Sequence, residues 1–455
     1  MKIAALVPVY AKKKRADSII RNLSIEAAGI QSKGSGLEAE TILVIDGASN
    51  SDIDSLVEEA RILPCVKVIQ GRPHLGKAEA LNRAIAECDA EELLFLDNDI
   101  DLPAGVPFFR LTERILEEHE IAELPKIGKG RSLTARVQSY EFLANVVSEG
   151  YLAEHGERCP SVNGAAFAVR REVFDSLGGF RRVLNEDMDF AARAFMAGAR
   201  FGFDHAMTVP NDVPETVKAW YEQRKRWMIS PALWSSAYMP SIIKYSFQHS
   251  NFYLESSSIF YPLPPLAAAL GALGGWLLSL IPALSGVWRA PLIAAAGLLC
   301  YLAVQRYFHR KADYYGAYFE PLTFFLYSFI YLPVWGITAL KGSLLVAMGK
   351  LPELDWKHDE AEDIRIISEE KKRAQAIRKE IKADIREKEE ALPMVKSMED
   401  LGLEIIEGPA KSLRLHLAAQ NASLARQHAV NKRRFQQGFA PRGQRHAQQR
   451  KGPKA

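Results

Sequence analysis

The sequence predicts an α/β protein with a Rossmann-like, doubly wound mixed sheet, followed by α-helical membrane segments toward the C-terminus. Apolar runs of the kind found in strands buried on both faces alternate with helical patterns. This alternation predicts a sheet whose strands are mostly parallel. The strand-like runs are Ile3–Val9, Thr41–Ile45, Val66–Ile69 and Leu93–Leu96, and the helical patterns lie near Ser18–Ala28, Ser51–Arg61 and Gly76–Ala86.

Composition divides the chain into five regions. Residues 1–230 carry the sheet pattern, and residues 231–258 mix aromatic and polar side chains, as is typical of helices in a membrane interface. Residues 259–349 contain the long apolar runs. Residues 350–434 form a charged, helical tail, and residues 435–455 form a basic, polar end that we expect to be disordered.

Three apolar runs predict association with a lipid bilayer. Ile259–Val287 has no charged residue and is long enough to span it, and Val287–Val304 is a second, shorter span. The third run is Pro321–Leu340, and the lysines after it favour a segment along the inner leaflet over a third crossing. The run Ala4–Val9 is too short for a signal peptide. We therefore expect a multi-pass protein of the cell (plasma) membrane with residues 1–230 in the cytoplasm.

The bulk composition excludes some classes of protein. The chain has 455 residues, of which 48% are hydrophobic, so a sizeable core needs no disulfides. Its net charge of +3 argues against a nucleic-acid binder, and no nucleic-acid partner is expected. The four cysteines show no metal-ligand spacing, which suits a reducing compartment.

Asp46 and Asp97 each follow directly after a predicted parallel strand. The carboxyl ends of such strands meet at one edge of the sheet, where ligands bind. Asp46-Gly47 by itself is more typical of a turn. Asp97-Asn98-Asp99 is a stronger signal, because Mg²⁺ and Mn²⁺ prefer carboxylate oxygens together with substrate phosphates. An Asx turn at the end of a strand explains the same three residues equally well.

Gly76 and Lys77 open a predicted helix, where free N–H groups and the lysine would face an anion. The segment from Gly71 has the glycine and lysine spacing of a phosphate loop. Ala78 stands where that loop has the Ser or Thr that holds magnesium, so an ATPase is rejected. An ordinary helix start with a surface lysine remains an equal alternative.

Two more motifs lie further along the chain. Asn185-Glu186-Asp187 precedes a helical run, where acids are commonly caps or dipole partners. Gln223, Arg226 and Trp227 share one face of a helix. The planar fork of Arg226 suits phosphate oxygens, and Trp227 offers a flat surface for stacking. A basic amphipathic helix on anionic lipid is the alternative.

In this order the motifs resemble the family 2 glycosyltransferases, in particular the membrane-bound branch with the cellulose, chitin and hyaluronan synthases. Two further stretches, Gly76–Asn82 and Val162–Phe180, resemble family segments as well. The resemblance covers roughly Lys2–Trp227 and implies a GT-A fold. The sequence departs from the family at Asn185, where Thr or Ser is usual.

The resemblance implies a role for each motif. Donor-binding residues would be Asp46 at the nucleobase, with Lys77, Asp97 and Arg226, and the metal, Mg²⁺ or Mn²⁺, would be held by Asp97 and Asp99. The general base would be Asp187, oriented by Glu186. Acceptor-binding residues would be Gln223, Trp227 and Gly164.

The implied reaction is inverting transfer of a sugar from a nucleotide-sugar donor, a UDP-sugar by preference, to a growing polysaccharide. The alternative acceptor is a polyprenyl-phosphate or other lipid. The small number of membrane helices favours that lipid acceptor, or else a polymer synthase with a partner membrane subunit. A catalytically inactive membrane scaffold is a further alternative, against which the full set of carboxylates argues. A nucleotidyltransferase is disfavoured by Gln223–Trp227 beside the bilayer.

Overall fold

The computed structural model describes residues 1–10, 15–34, 36–47, 50–71, 74–183, 185–205, 207–248 and 289–348. The predicted span Ile259–Val287 and the predicted tail from residue 350 therefore lie outside the described residues.

The described strands and helices alternate as the sequence predicts. The strands are β1 (Lys2–Val9), β2 (Glu38–Asp46), β3 (Val66–Gly71), β4 (Glu92–Leu96), β5 (Ile121–Glu123), β6 (Lys126–Lys129), β7 (Ala166–Arg170), β8 (Phe201–Phe203) and β9 (Val209–Asp212). The helices are α1 (Ala16–Ser32), α2 (Ser51–Ile62), α3 (Lys77–Ala86), α4 (Phe108–Glu118), α5 (Leu133–Gly156), α6 (Arg171–Ser176), α7 (Glu186–Ala197), α8 (Val217–Gln248), α9 (Arg289–Tyr315), α10 (Pro321–Leu326) and α11 (Leu332–Met348), with a π-helical turn (Tyr327–Tyr331) between the last two.

The main sheet is mixed and has seven strands in the order β3-β2-β1-β4-β7-β5-β8. Strands β3, β2, β1 and β4 run parallel to one another, whereas β7 is antiparallel to both β4 and β5. Strands β6 and β9 form a separate parallel pair. The predicted Rossmann-like mixed sheet is confirmed, and the four apolar runs correspond to β1–β4.

Both faces of the central strands are covered. On one face, alternate residues of β1, including Ile3, Ala5 and Val7, share a core with apolar residues of α1, α2 and α4. On the other, Phe95 stacks on Phe167 with ring centroids 4.8 Å apart, within a larger aromatic cluster. The expected burial on both faces is wrong for β3, which is half exposed because it lies at the sheet edge.

Helix α8 lies against α7 through two aromatic side chains. Trp234 and Tyr238 are 5% and 2% exposed. The indole Nε1 of Trp234 donates to the carbonyl of Met188 over 2.9 Å, and the Tyr238 hydroxyl donates to Asp189. The sequence placed these aromatics in the headgroup region, whereas the structure buries them inside the protein. Their polar tips suit a carbonyl and a carboxylate of α7 as well as they suit headgroups.

The segment Pro321–Met348 is largely apolar, with a mean hydropathy of 1.5 over its best 18 residues. By length and composition it is the one helix among the described residues that could cross a membrane, and 28% of that window is buried. It contains the third predicted run, Pro321–Leu340. The second run, Val287–Val304, falls in α9 from Arg289 onward and does not meet the same criteria. A multi-pass arrangement therefore stays a prediction.

Candidate active site

Asp46, the last residue of β2, is buried and holds the loop before α3. Its Oδ1 accepts from the N–H of Leu75 over 2.8 Å, and its Oδ2 accepts from the N–H of Gly76 over 2.9 Å. Nδ1 of His74 lies 2.7 Å from Oδ2. A Cβ at Gly47 would stand 2.6 Å from the His74 backbone, so the close approach requires glycine. The N–H of Gly76, expected to face an anion, is bound by the carboxylate of Asp46.

Lys77, the first residue of α3, joins two of the predicted motifs. Its Nζ lies 2.7 Å from Asp97 Oδ1 and 3.1 Å from Glu186 Oε1. Burial by itself would lower the pKa of Lys77, but attraction to Asp97, Glu186 and Asp187 outweighs it and raises the pKa. Lys77 therefore stays cationic and draws the carboxylates from the β4 end and from α7 to one point.

Asp187 lies in the first turn of α7. Its Oδ2 accepts from the N–H of Gly164 over 2.7 Å, and its Oδ1 accepts from the N–H of Met188 over 2.8 Å. Burial raises the pKa of Asp187, repulsion from Asp97 adds to this, and Lys77 and the two N–H groups oppose it only in part. A carboxylate with a raised pKa is a better proton acceptor near neutral pH.

The pKa values of the other carboxylates in the cluster are raised as well. Burial raises the pKa of Asp97, and repulsion from Asp99 adds to it against the attraction of Lys77. Burial likewise raises the pKa of Glu186, with repulsion from Asp187. Lys77 thus does not neutralise the cluster. Carboxylate oxygens are the ligands that hard divalent cations prefer, and Asp97 and Asp99 are the pair that the sequence predicts to bind one.

A short loop before β7 contacts two of the motifs at once. The carbonyl of Ala165 accepts from the N–H of Asp97 over 2.9 Å, while the neighbouring Gly164 donates to Asp187. On the far side of the β4 end, the side chain of Asn211 donates to the carbonyl of Asp99 over 3.4 Å. Hydrogen bonds from two segments, the loop before β7 and strand β9, therefore hold the backbone at Asp97 and Asp99 and the carboxylate of Asp187.

The motif Gln223–Trp227 makes its contacts elsewhere. The side-chain oxygen of Gln223 accepts from Nε2 of Gln138 on α5 over 3.0 Å. The ring of Trp227 lies 4.4 Å from the guanidinium of Arg224. The side chain of Arg226 lies outside the described residues. The structure thus brings Asp97, Lys77, Glu186, Asp187 and Gly164 together, and it joins Gln223 and Trp227 to α5 and Arg224.

Arg224 was missed by the sequence argument, which placed it off the motif face. It is 1% exposed, and its guanidinium donates to both oxygens of Glu141 over 2.8 and 2.6 Å. The hydroxyl of Tyr331 donates to the same carboxylate over 2.5 Å. Four rings surround the guanidinium at 4.4 to 6.0 Å, those of Trp220, Trp227, Tyr331 and Trp335. The tryptophans around Gln223 were the available signal, but the partners lie on distant segments.

Two further groups of contacts join segments around the site. Asp189 pairs with Arg193 over 2.8 Å, an i,i+4 spacing that the sequence shows, and Arg193 also donates to the carbonyl of Gly179 over 2.8 Å. The side chain of Asn82 donates to the carbonyl of Phe180 and accepts from its N–H, over 2.8 and 3.0 Å. The two family-like stretches Gly76–Asn82 and Val162–Phe180 are therefore joined directly.

Among the described residues, one group of potential metal ligands lies at the amino-terminal ends of β2 and β4. Glu40, Cys88 and Asp89 bring their ligand atoms within 4.8 Å of one another. Lys2 pairs with both carboxylates, and it lies 3.2 Å from that of Glu40. An ammonium group thus already occupies this cluster.

Comparisons with known proteins identify the family of this chain. The model of glycosyl transferase family group 2 matches residues 108–338, just over half of the chain, and the model of glycosyl transferase family 2 matches residues 6–178. The chain belongs to glycosyl transferase family group 2. Its sheet is mixed and Rossmann-like, as the sequence predicts.

Individual relatives are distant. The chain is 26% identical to probable glycosyltransferase YdaM of Bacillus subtilis over 198 residues, 41% of this chain and 46% of YdaM. It is 29% identical to glucomannan 4-beta-mannosyltransferase 1 of Cyamopsis tetragonoloba over 213 residues, 42% of this chain and 39% of that protein. It thus spans less than half of each. A solved mannosyltransferase, PcManGT from Pyrobaculum calidifontis in complex with GDP-Man and Mn²⁺, has a TM-score of 0.44 and 17% identity, covering 75% of this chain and 86% of PcManGT.

Proposed function

We propose that the protein is a membrane-bound, inverting glycosyltransferase that moves a sugar from a nucleotide-diphosphate donor to a growing polysaccharide. One observation carries the proposal. Lys77 contacts Asp97 and Glu186 at once, and Asp187 follows Glu186 in the chain. Carboxylates from two distant motifs therefore meet a lysine at one point beside the strand ends, where α/β sheets bind ligands.

On the donor side, Lys77 and Arg226 would face the diphosphate, and Asp97 and Asp99 would hold Mg²⁺ or Mn²⁺. The bound cation would neutralise the negative charge of the diphosphate leaving group. Asp46 would contact the nucleobase. Because two of its bonds go to backbone N–H groups, the contact that a base would displace is the one from His74, which is 49% exposed and stacks on Tyr10 at 4.2 Å.

On the acceptor side, Asp187 would take the proton of the hydroxyl as its oxygen attacks the anomeric carbon. The N–H groups of Gly164 and Met188 hold both oxygens of Asp187, which leaves a lone pair on each for the proton. General-base assistance of this kind is worth roughly 10²–10⁴-fold in rate. Glu186, bound by Lys77, would keep the start of α7 in register with the donor residues.

The acceptor is proposed from two features. Gln223 and Trp227 lie on α8, which packs on α11 next to the apolar segment, so an acceptor there would lie close to a bilayer. Some relatives are named as glucomannan mannosyltransferases, which favours a polysaccharide over a lipid acceptor. The same names make GDP-mannose the donor to test beside the UDP-sugars that the sequence resemblance favours.

The test is a donor screen on the full chain in lipid nanodiscs. Radiolabelled UDP-glucose, UDP-N-acetylglucosamine and GDP-mannose are supplied with and without MnCl₂, and products are sized and extracted with organic solvent. We expect metal-dependent transfer from one donor into a product of high molecular mass. A small, solvent-extracted product would identify a lipid acceptor, and intact donors throughout would favour the inactive scaffold.

Asp187→Asn separates catalysis from binding in the same assay. We expect transfer to be lost while the nucleotide still binds by calorimetry. The matched control is Asp175→Asn, because Asp175 is an exposed aspartate on α6 paired with Arg171. Loss of nucleotide binding together with transfer in Asp187→Asn would contradict the assignment of Asp187 as the base.

A further inference from the structure

Lys126 is a buried lysine that binds the loop Asn163–Ala166. This loop contacts the cluster formed by Lys77, Asp97, Glu186 and Asp187. Its side chain is 2% exposed. Its Nζ donates to the carbonyl of Asn163 over 2.8 Å and to the carbonyl of Ala166 over 3.1 Å. These two carbonyls bracket Gly164 and Ala165, so one ammonium group holds both ends of a short stretch of backbone.

Glu123 completes this anchor. Its side chain is fully buried, with Oε1 lying 2.6 Å from Nζ of Lys126. Its Oε2 accepts from the N–H of Asn163 over 3.1 Å, and the side chain of Asn163 in turn accepts from the N–H of Ala165 over 3.1 Å. The pair Lys126–Glu123 thus binds the backbone of the loop, and the side chain of Asn163 closes the turn within it.

The two residues inside the anchored stretch are those that contact the catalytic cluster. Gly164 donates its N–H to Asp187 over 2.7 Å, and the carbonyl of Ala165 accepts from the N–H of Asp97 over 2.9 Å. A shift of the loop would therefore displace both the base and the start of the metal-ligand motif. A displacement of about 1 Å at a reacting group can cost on the order of 10²-fold in rate.

The pair adds little to stability by itself. Burial, and then repulsion from Glu149, raise the pKa of Glu123 well above its ordinary value. Replacing a buried ion pair by apolar side chains of similar volume is often neutral or stabilising. Stability alone therefore does not explain a buried pair of this kind. The position of the backbone groups that it binds does.

Resting on the glycosyl transfer proposed above, we propose that Lys126 and Glu123 are positioning residues for the reaction. Through the Asn163–Ala166 loop they hold the N–H of Gly164 against Asp187, and they thereby set where the base stands relative to the acceptor hydroxyl. They touch neither donor nor acceptor. Their removal should lower kcat and leave the affinity for the donor unchanged.

The experiment removes both charges together, because a single change would leave the other group buried and unpaired. Glu123→Gln/Lys126→Met is made in the full chain in nanodiscs. It is compared with Arg110→Met/Glu113→Gln, which removes another i,i+3 ion pair, on helix α4. We expect kcat to fall by about 10- to 100-fold, with the KM of the labelled donor within twofold of wild type. The control pair should leave both unchanged.

A role through Asp187 is tested by repeating the pair change in an Asp187→Glu background. There the carboxylate is already displaced, so the pair change should cost less than threefold in kcat. An equal loss in both backgrounds would show that Lys126 acts elsewhere and would overturn the inference. Wild-type kcat in the double variant would show that the pair only fills space.

Asn163→Ala gives an independent variant should the double variant not fold. It removes the side-chain acceptor that closes the loop, at a half-buried position. We expect the same fall in kcat with unchanged KM, and an unchanged kcat would overturn the inference. Wild-type protein that transfers no sugar would overturn the proposed function itself, whereas wild-type transfer with active variants overturns only the positioning role.

Discussion

The N–H of Gly164 donates to Oδ2 of Asp187 over 2.7 Å, and a Cβ on Gly164 would stand 2.4 Å from that same oxygen. The hydrogen bond brings the Asp187 carboxylate so close to Gly164 that only a residue without a Cβ fits there. The family resemblance implied a role for Gly164 in binding the acceptor. The structure adds a direct contact with the carboxylate proposed to receive the proton.

Gly164→Ala should move Asp187 without changing its chemistry. The methyl group forces Asp187 outward and lengthens its bond to the loop, so we expect kcat to fall by about 10²-fold with donor affinity retained. Steady-state kinetics with labelled donor measure both. Gly29→Ala in α1 is the control, because a Cβ there meets nothing within 4 Å. Equal kcat in both variants would contradict the contact.

Lys77→Met should have opposite effects on the metal and on the reaction. The ammonium of Lys77 now lies 2.7 Å from Asp97, where it competes with a cation for the carboxylate. Removing a unit charge about 4 Å away changes the interaction by up to about 4 kcal/mol at an effective dielectric of about 20. We expect Mn²⁺ to bind at least tenfold more tightly in the absence of nucleotide, measured by calorimetry.

In the same variant we expect transfer to fall by at least about 10²-fold, because the diphosphate loses its lysine. Lys67→Met is the control, since Lys67 is a half-exposed lysine on β3. Unchanged Mn²⁺ affinity in Lys77→Met would mean that Asp97 is not a metal ligand.

Patterns local in sequence predicted much of the fold. The apolar runs at β1, β2 and β4 and the acids that open α7 needed no knowledge of distant residues. Strand β7 was not predicted, although it supplies the antiparallel member beside β4. Its run Ala166–Arg170 is short and follows the loop around Gly164, so nothing in its own residues sets its direction.

The supporting contacts of the site could not be predicted for a related reason. Lys126 on β6 and Glu141 on α5 carry no motif, and their partners lie 37 and 83 residues away in the chain. Trp234 was misplaced because an aromatic ring with a polar tip suits a bilayer interface and a helix start equally well. Local pattern reports the class of environment, and the particular partner depends on the tertiary fold.

Arg224 and Glu141 should stabilise the contact of α8 with the π-helical turn and α11. Arg224→Met leaves Glu141 without its cation in a largely buried site, which costs about 3–5 kcal/mol of unfolding free energy. Arg224→Lys should recover only part of this, since an ammonium group cannot replace the bidentate fork. Midpoints of thermal unfolding in nanodiscs rank the stabilities of these variants. The control on α8 is Lys218→Met, because Lys218 is exposed. Equal midpoints for Arg224→Met and the control would contradict the role.

Glu92 should make the protein less stable as pH rises. It opens β4 opposite Arg170, is 5% exposed, and has a buried Oε2 without a hydrogen-bond partner. Burial raises the pKa of Glu92 from 4.5 to about 8. Between these values the folded protein binds the proton that the unfolded chain has released, so this contribution to stability is full below pH 4.5 and is lost as pH rises through 8.

Glu92→Gln removes that dependence, since the amide stays neutral at every pH. We expect its unfolding free energy to exceed that of wild type by on the order of 2–4 kcal/mol at pH 8.5, and the difference to shrink toward zero at pH 4.5. Urea unfolding followed by tryptophan fluorescence measures this, with the exposed neighbour Glu91→Gln as the matched control. A difference that stays constant from pH 4.5 to 8.5 would show that Glu92 does not change its protonation on folding.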